Sequence, residues 1–311
     1  MPSPAADGPA AFVRAHRADL LARLGKLDLE PEVRRGDARD LSFLADGSVH
    51  LVVTSPPYPL VAMWDALFEG ATSVAADDAG AFDAWHAWLG SAWTEVARVL
   101  APGGIACVNV GDATRSVNGR FRCFVNHVEV ARRLEAAGLE PLVPILWKKP
   151  TNKPNAFLGS GFLPTNGYVT LDCEHVLIHR KAGARRFPPH DPLRYASSFS
   201  KEDRDRWFTQ VWTLNGARQG FEGDAADRAR RDRTGGFPRE LPERLVRMFS
   251  VVGDVVLDPF CGTGEAVAAA RDWGRKGVGV ELDKAVAEAA RRRVGTKGPS
   301  PEALLRRLAR G

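Results

Sequence analysis

The sequence predicts an α/β fold whose mostly parallel sheet is covered by helices on both faces. Short, continuously apolar runs recur along the chain, and helical segments with apolar residues three or four apart lie between several of them. Strands that are apolar on both sides are typical of parallel sheets buried on both faces. The 311 residues suffice for a sizeable core.

The elements follow in order along the chain. A helix is predicted over residues 10–27, and seven strands are predicted near residue 33 and at 51–53, 105–108, 142–147, 173–178, 255–257 and 278–280. Apolar residues at helical spacing predict a helix over 85–100, which Pro102-Gly103-Gly104 should end, and another helix over 266–273. Residues 150–235 break this rhythm, because they are rich in Asn, Pro, Gly, Arg and aromatic residues, and they are a candidate inserted recognition region.

Composition excludes several classes of protein. The chain is 44% hydrophobic and 26% charged, and it lacks the run of roughly 18 apolar residues that a membrane span needs. Its opening, MPSPAADGPA, has no apolar segment of the kind found in signal peptides, which predicts a cytoplasmic protein with no membrane partner. The scattered cysteines form no C-x-x-C pair, which argues against a disulfide scaffold or a zinc ribbon, and no metal is expected.

Basic residues are concentrated in the middle of the chain. The net charge is +5, yet residues 1–114 carry 8 basic and 15 acidic residues, residues 115–247 carry 24 and 15, and residues 248–311 carry 11 and 8. Lys and Arg side chains that neutralise phosphates supply most sequence-independent affinity for nucleic acids. The middle of the chain is therefore a candidate surface for a polyanion, and a solvated Arg-rich face is the alternative.

The first motif with chemical content is Thr54-Ser55-Pro56-Pro57-Tyr58, directly after the strand predicted at 51–53. Ligands of open α/β sheets bind at the carboxyl ends of the strands. Two consecutive prolines stiffen the loop and donate no N–H. The loop offers a hydroxyl, a free carbonyl and an aromatic face, which together suit a planar ring carrying an exocyclic amino group. A proline turn that simply leaves a strand is the other interpretation.

The second motif is Asp258-Pro259-Phe260-Cys261-Gly262-Thr263-Gly264, between the strand at 255–257 and a helix. Its glycines allow close approach of the backbone to a ligand. Val267 stands where a dinucleotide fingerprint needs its third glycine, and the P-loop ending G-K-[ST] is absent, so NAD and triphosphate sites are disfavoured. The next strand ends at Glu281, whose carboxylate can accept hydrogen bonds from ribose hydroxyls.

Together, the two motifs resemble those of the S-adenosylmethionine-dependent DNA amino-methyltransferases, which modify an exocyclic nitrogen of cytosine or adenine. The motif at 54–58 looks like their catalytic motif, and the motif at 258–264 looks like their cofactor motif. The catalytic motif comes first along the chain, as in the circularly permuted β class of that family. Further similar segments are Gly36-Asp37, 147–150, 174–178 and Phe237-Pro238, so the likeness spans roughly residues 30 to 295.

The resemblance implies a Rossmann-like methyltransferase fold: a doubly wound, seven-stranded sheet with one antiparallel strand near its edge. It also implies three parts. These are a catalytic half over 1–149, a target-recognition region over 150–235 that includes a sheet strand near 172–180, and a cofactor-binding half over 236–311.

The family's functional residues carry over onto matching positions. The catalytic residues would be Ser55, Pro56, Pro57 and Tyr58. Ser55 Oγ and the Pro56 carbonyl would accept the two amino hydrogens of a flipped-out base, which Tyr58 would stack against. S-adenosylmethionine would be held by the residues Asp37, Phe237, Asp258, Pro259, Phe260, Gly262, Thr263, Gly264 and Glu281.

Duplex DNA is the implied partner, and the oligomeric state, monomer or homodimer, stays open. The candidate DNA contacts are the basic residues Arg115, Arg120, Lys148, Lys149, Lys153, Arg185, Arg186, Arg194 and Arg218. Serine in the first position of the catalytic tetrapeptide favours cytosine N4 within a restriction-modification or epigenetic system, because family members that modify adenine N6 usually carry Asp or Asn there.

Three alternatives stay open from the sequence. The chain could modify adenine N6, it could bind DNA without catalysis, or it could methylate a small molecule or a protein. Ring-carbon methylation of cytosine is disfavoured because it needs a Pro-Cys pair, which the sequence lacks, and Cys261 is read as a packing residue.

Overall fold

The computed structural model describes residues 8–77, 80–117, 119–150, 169–216 and 236–309. The helices are α1 (Gly8–Ala15), α2 (Arg17–Leu24), α3 (Asp65–Thr72), α4 (Ala81–Val99), α5 (Asn126–Ala136), α6 (Pro192–Ala196), α7 (Lys201–Trp207), α8 (Glu240–Phe249), α9 (Glu265–Asp272), α10 (Lys284–Val294) and α11 (Pro301–Leu308). The strands are β1 (Glu32–Arg35), β2 (Val49–Thr54), β3 (Leu100–Val110), β4 (Ala113–Val117), β5 (Arg120–Phe124), β6 (Leu139–Pro141), β7 (Ile145–Lys148), β8 (Cys173–Lys181), β9 (Val211–Thr213), β10 (Val255–Asp258) and β11 (Lys276–Glu281).

One sheet organises these elements. Its strand order is β1-β11-β10-β2-β3-β8-β7-β9, with β6 also pairing with β8. The first five strands in this order, β1, β11, β10, β2 and β3, are parallel to one another. Strand β8 runs antiparallel to both of its neighbours, β3 and β7. The predicted mainly parallel α/β fold is confirmed, and each of the seven predicted strands is present. The short strands β6 and β9, and a separate hairpin of β4 and β5, were not predicted.

Alternate residues of the central strand β2 explain why helices cover both faces. Val52 packs with Trp93 and Val96 of α4 on one face, whereas Leu51 and Val53 pack on the other face with residues of α8 and α9. Successive side chains of a strand point to opposite faces. A strand that is apolar at each of these positions therefore needs a helical layer on either side, as the sequence predicts.

The helices predicted over 10–27 and 85–100 have different boundaries in the structure. The helix predicted over 10–27 is interrupted at His16, which separates α1 from α2. The long helix α4 ends at Val99, before the predicted stop at Pro102-Gly103-Gly104, and those residues lie within β3. The β2–β3 register shifts there, from Val49 opposite Leu100 to Leu51 opposite Ile105. This irregularity absorbs the Pro-Gly-Gly segment, so pairing with β2 overrides a local turn signal.

The described part of the predicted recognition region contributes to the sheet itself. Residues 169–216 contain β8 and β9. Trp207, at the end of α7, and Trp212, within β9, are buried, whereas Phe208 is exposed. These two tryptophans are thus core residues. The remaining segments, 151–168 and 217–235, lie outside the described residues, and the three-part division of the chain stays a prediction.

The sequence argues against a membrane span and against a disulfide scaffold. Among the helices of the described ranges, none combines the length and the apolarity that crossing a membrane requires. The four cysteines, Cys107, Cys123, Cys173 and Cys261, are unpaired thiols, and Cys107 and Cys261 are buried.

Gly277 of β11 lets helix α9 pack closely on the sheet, since a Cβ there would lie 2.5 Å from the carbonyl oxygen of Val267. We expect Gly277→Ala to lower the free energy of unfolding by about 1–3 kcal/mol, the usual cost of overpacking. Urea denaturation measures this loss. Gly70→Ala, on the exposed face of α3 with no atom within 4 Å, is the matched control and should be neutral or stabilising. Equal effects of the two changes would contradict the packing argument.

Candidate active site

The two sequence motifs meet because the strands that carry them are neighbours. Strands β2 and β10 lie side by side and parallel, with Leu51 opposite Val256 and Val52 opposite Leu257. Both motifs therefore leave the sheet at the same carboxyl edge. A cleft of about 1500 Å³ opens there, and its walls include the segments 55–58, 259–260 and 280–284. The proline loop and the glycine turn thus line one shared cleft.

The loop after β2 is held by side chains from three other elements. Thr54 Oγ1 donates to the buried Asp258 Oδ1 at 2.6 Å. Asn126 Nδ2 donates to the Pro59 carbonyl at 3.0 Å, and Arg115 Nε donates to the Leu60 carbonyl at 2.8 Å. Leu60 has φ 62°, a strained conformation for a non-glycine residue. Such strain persists where surrounding contacts hold it, so this loop has one well-defined geometry.

A neutral histidine orients the amide that holds the loop. His86 Nε2 lies 2.8 Å from Asn126 Oδ1, so donation by this nitrogen leaves the amide NH₂ to donate to the carbonyls of Pro59 and Gly111. Burial lowers the pKa of His86 to about 4, which keeps the ring uncharged at neutral pH. The loop is therefore supported by a buried polar contact.

Ser55 and Tyr58 contact each other within the catalytic motif. Ser55 Oγ lies 2.6 Å from the Tyr58 hydroxyl, which also accepts from Asn109 Nδ2 at 2.9 Å. The tyrosine ring is largely buried and closely covers Gly111, where a Cβ would lie 2.9 Å from Cε2. Burial first, and the nearby Glu174 second, hold the pKa of Tyr58 well above its usual value. Tyr58 lines the cleft, but its most evident role here is to hold Ser55, and its stacking against a base stays a prediction.

The glycine turn after β10 forms the opposite wall. Gly262 has φ 49° and faces open space, while Gly264, with φ 83°, precedes α9 and packs against Val294 so closely that no Cβ would fit. Glu281 Oε2 accepts from the Gly262 N–H at 3.0 Å, and Oε1 accepts from the Asp283 N–H at 2.9 Å. Burial raises the pKa of Glu281 against these bonds. The carboxylate keeps further lone pairs for a ligand at the cleft wall.

The predicted cofactor residues divide into two groups. Residues on the cleft wall are Asp37, Pro259, Phe260, Gly262 and Glu281. Residues behind that wall are Phe237, Asp258, Thr263 and Gly264, of which Phe237 packs in the core near α8. These four residues are not part of the cleft lining, and their contact with the cofactor stays a prediction.

The predicted DNA contacts are scattered over the molecule. Lys149 lines the cleft, and Lys148 beside it and Arg120 on the hairpin are exposed. Arg115 instead forms an ion pair with Asp65 and donates to the Leu60 carbonyl. Lys148 and Lys149 thus lie at the cleft end of β7, whereas Arg115 is committed to an internal contact.

Other predicted DNA contacts lie elsewhere. Both terminal nitrogens of Arg185 donate to Asp254 at 2.6 Å, just before β10 and therefore at the edge of the sheet opposite the cleft. Arg194 lies over the ring of Phe187, 4.9 Å from its centroid, as Arg185 does at 5.0 Å, and Arg186 is exposed between them in sequence. The structure thus does not bring this group to the cleft, and its contact with DNA stays a prediction. Lys153 and Arg218 lie outside the described residues.

Several cleft residues received no role from the sequence. They include Met63, Trp64, Trp88, Asp112, Glu174 and Lys284. Asp112 follows the carboxyl end of β3, so the rule that located the first motif could have located it too. The others come from helices and from the antiparallel strand β8, whose placement beside the cleft depends on the tertiary fold.

Asp112, His127 and His175 form a cluster that resembles a metal site, with candidate ligand atoms within 4.8 Å of one another. His127 Nδ1 lies 2.9 Å from Asp112 Oδ1, and the two imidazole rings stack with centroids 3.8 Å apart and planes 13° apart. Lone pairs of imidazole lie in the ring plane, so an ion shared by two stacked rings would lie out of at least one plane. Hydrogen bonding and stacking explain the cluster without a metal, and the expected absence of metal stays a prediction.

A family model of DNA methylases matches residues 49–292, most of the chain. The chain belongs to the DNA methylase family. The type II methyltransferase M.MjaI of Methanocaldococcus jannaschii is 49% identical over 84% of this chain and 90% of its own length. The type II methyltransferase M.MthZI of Methanothermobacter thermautotrophicus is 42% identical over 79% of this chain and 71% of its own length.

Solved structures of other proteins show the same fold as this DNA methyltransferase. A candidate DNA modification methylase from Thermus thermophilus, complexed with S-adenosyl-L-methionine, is 36% identical and covers 85% of this chain and 93% of its own, with a TM-score of 0.67. The cytosine-N4-specific PvuII DNA methyltransferase is 19% identical, covers 91% and 93%, and has a TM-score of 0.62. The first of these agrees with the predicted cofactor, S-adenosylmethionine, and the second shows the fold alone.

Substitution of Gly262 in the glycine turn tests whether this wall of the cleft binds the cofactor. Since this residue lines the cleft and a Cβ there meets no protein atom within 4 Å, Gly262→Val should project into the ligand space and abolish binding of S-adenosylmethionine. Isothermal titration calorimetry measures the affinity. Gly119→Val, which also has a positive φ of 73° and open surroundings, is the control for backbone strain and should leave binding intact. Normal affinity of the Gly262 variant would contradict the assignment.

The buried carboxyl of Asp258 should make the stability of the protein depend on pH. Burial raises the pKa of this carboxyl from 3.8 to about 7, so between these values the folded chain holds a proton that the unfolded chain releases. The contribution of Asp258 to stability should therefore fall as pH rises from about 4 to about 7 and change little above that. Chemical denaturation across this range, for the wild type and for Asp258→Asn, isolates the contribution as a difference. A difference that grows with pH would mean that the folded state prefers the ionised carboxylate.

Proposed function

We propose that this DNA methyltransferase transfers a methyl group from S-adenosylmethionine to the exocyclic N4 of a cytosine flipped out of duplex DNA, within a restriction-modification or epigenetic system. The observation that carries the proposal is that Ser55 and the Gly262 turn line one cleft. An amine held at the serine would thus lie beside a methyl donor held at the turn.

The serine loop can supply what an exocyclic amine lacks. Such an amine is a weak nucleophile because its lone pair is delocalised into the base. If Ser55 Oγ and the Pro56 carbonyl accept its two hydrogens, the nitrogen becomes more tetrahedral and its lone pair points across the cleft. The contacts that hold Thr54, Pro59 and Leu60 keep both acceptors in place, so little reorganisation is needed as charge develops.

The opposite wall fits the cofactor. Gly262 leaves the space that close backbone approach needs, and the Glu281 carboxylate keeps lone pairs for ribose hydroxyls beyond its two backbone bonds. Asp37 lies on the same wall, where its pairing with Arg39 keeps the carboxylate charged and available for an amine or an amino group. S-adenosylmethionine, when bound, supplies a sulfonium methyl that is already strongly electrophilic.

The size of the cleft supports two ligands at once. Pockets for one small molecule typically measure about 300–1000 Å³, whereas this cleft measures about 1500 Å³. Trp64 and Trp88 line it in addition to Tyr58, and they offer aromatic surface to a base. A duplex base reaches such a cleft only by flipping out, at a cost of a few kcal/mol that stacking and phosphate contacts offset.

Positive charge near the cleft supports duplex DNA as the substrate. Lys148 and Lys149 lie at the end of β7, Arg120 lies on the hairpin, and Lys284 begins α10 at the cleft wall. We propose these residues as phosphate contacts. Arg185 and Arg194 are not part of this proposal, because they lie away from the cleft.

The choice of cytosine N4 and of the permuted β class rests on the motifs. Serine in the first position of the catalytic tetrapeptide is what favours cytosine, since both amines present the same two hydrogens. The class is supported by chain order: β10, which precedes the glycine turn, is central in the sheet, yet it comes about 200 residues after the catalytic strand β2.

Incubation with S-adenosylmethionine and mixed-sequence duplex DNA, followed by nucleoside mass spectrometry, tests the proposal. We expect N4-methylcytosine. N6-methyladenine instead would retain the methyltransferase and reject its proposed base, and the absence of methylated nucleosides would reject catalysis on DNA.

Ser55→Ala should lower the rate of methyl transfer by about 10²–10³-fold, the usual loss on removing one preorganised hydrogen-bonding group, while cofactor affinity stays unchanged. Single-turnover transfer of labelled methyl groups to DNA measures the rate, and calorimetry measures the affinity. Ser42→Ala, an exposed serine outside the cleft, is the control. An unchanged rate for the Ser55 variant would remove this hydroxyl from the mechanism.

A further inference from the structure

We propose that Glu174 is a positioning residue that sets the direction of the hydrogen bond between Tyr58 and Ser55. It makes the serine donate its proton to the tyrosine, so that the serine presents only lone pairs to the substrate amine. This inference rests on the proposed function and extends it to a residue on the antiparallel strand β8.

A continuous chain of contacts links Ser55 to Glu174, and it is buried at Tyr58 and Asn109. Ser55 Oγ lies 2.6 Å from the Tyr58 hydroxyl. That hydroxyl accepts from Asn109 Nδ2 at 2.9 Å and lies 3.3 Å from Glu174 Oε2 and 3.2 Å from the main-chain carbonyl of Asn109. Asn109 Nδ2 also donates to Glu174 Oε2 at 2.5 Å. Glu174 lines the cleft and forms an ion pair there with Lys149.

A carboxylate at this place determines which way the protons point. An ionised Glu174 can only accept, so the Asn109 amide must turn its NH₂ towards it and, with the second hydrogen, towards the Tyr58 oxygen. The tyrosine has a single proton to give. Its acceptors are Glu174 and the Asn109 carbonyl on one side and Ser55 on the other.

Charge decides between these two directions. Hydrogen bonds to an ionised acceptor are roughly twice as strong as bonds between neutral groups. The Tyr58 proton therefore points towards the Glu174 side, and the short Ser55–Tyr58 contact is then filled by the serine proton. Lys149 places a positive charge beside the Glu174 carboxylate through their ion pair.

The direction matters for the reaction. A serine that kept its proton free would donate it to the amine lone pair, which is the electron pair that must attack the methyl group. A serine whose proton is given to Tyr58 has both lone pairs available for the amine hydrogens. The same atoms at the same distances would thus hinder or assist transfer, according to where one proton lies.

A double-mutant cycle tests this chain of contacts. The variants are Glu174→Gln, Tyr58→Phe and the combination, and the measurement is the single-turnover rate of methyl transfer at saturating DNA and cofactor. Glutamine keeps the size of the side chain, but it is neutral and can donate to Tyr58. We expect each single variant to slow transfer by about tenfold or more, and the double variant to be no slower than Tyr58→Phe alone.

Matched measurements separate this role from a structural one. Calorimetric cofactor affinity and melting temperature should change little in the Glu174 variant, and Glu174→Asp, which keeps the charge, should recover part of the rate. Glu140→Gln, in an exposed ion pair with Arg180 at the far end of β8, should behave as wild type. Rates are normalised to the cofactor-binding fraction, so that a poorly folded variant does not count as a slow one.

Two results would overturn the inference: a wild-type rate for Glu174→Gln, or independent, multiplicative losses in the double variant. Both results are obtained with variants of a protein whose wild type is active. If the proposed function itself is wrong, the wild-type protein transfers no methyl group to DNA.

Discussion

A buried side-chain hydrogen bond joins the two halves of the candidate active site. Thr54 Oγ1 donates to Asp258 Oδ1 at 2.6 Å across 204 residues of sequence, between the ends of the adjacent strands β2 and β10. The residue after each partner begins a wall of the cleft. A buried carboxyl without a partner is costly, so this bond both satisfies Asp258 and sets the distance between the serine loop and the glycine turn.

Side chains from several elements hold the proposed catalytic loop of the methyltransferase. Arg115 reaches it from the hairpin, Asn126 from α5, and Asn109 from β3, while Glu174 stands behind it on β8. Contacts of this kind keep a reactive group within the narrow tolerance that catalysis needs. They also explain why Leu60 can remain in a conformation that an isolated loop would avoid.

The charge composition of the sequence does not reveal where individual basic residues lie on the surface. The basic excess of residues 115–247 predicts one polyanion surface, yet Arg185 is committed to Asp254 at the opposite edge of the sheet and Arg115 to Asp65 near the loop. Lys148 and Lys149 lie at the cleft edge. A count of charges along a sequence cannot separate these cases, because strand direction and partner side chains decide where each charge lies.

The sequence by itself determined the α/β class, the seven strands and the two motifs, because apolar runs, prolines and glycines act locally. It also indicated that both motifs lie at strand ends. Only the tertiary structure decided that Pro102-Gly103-Gly104 would enter β3, that Phe237 and Asp258 would lie behind the cleft wall, and that Glu174 would stand beside Tyr58. Those outcomes depend on which strands become neighbours. The choice of neighbours is decided by burial and hydrogen bonding between residues that are far apart in the chain.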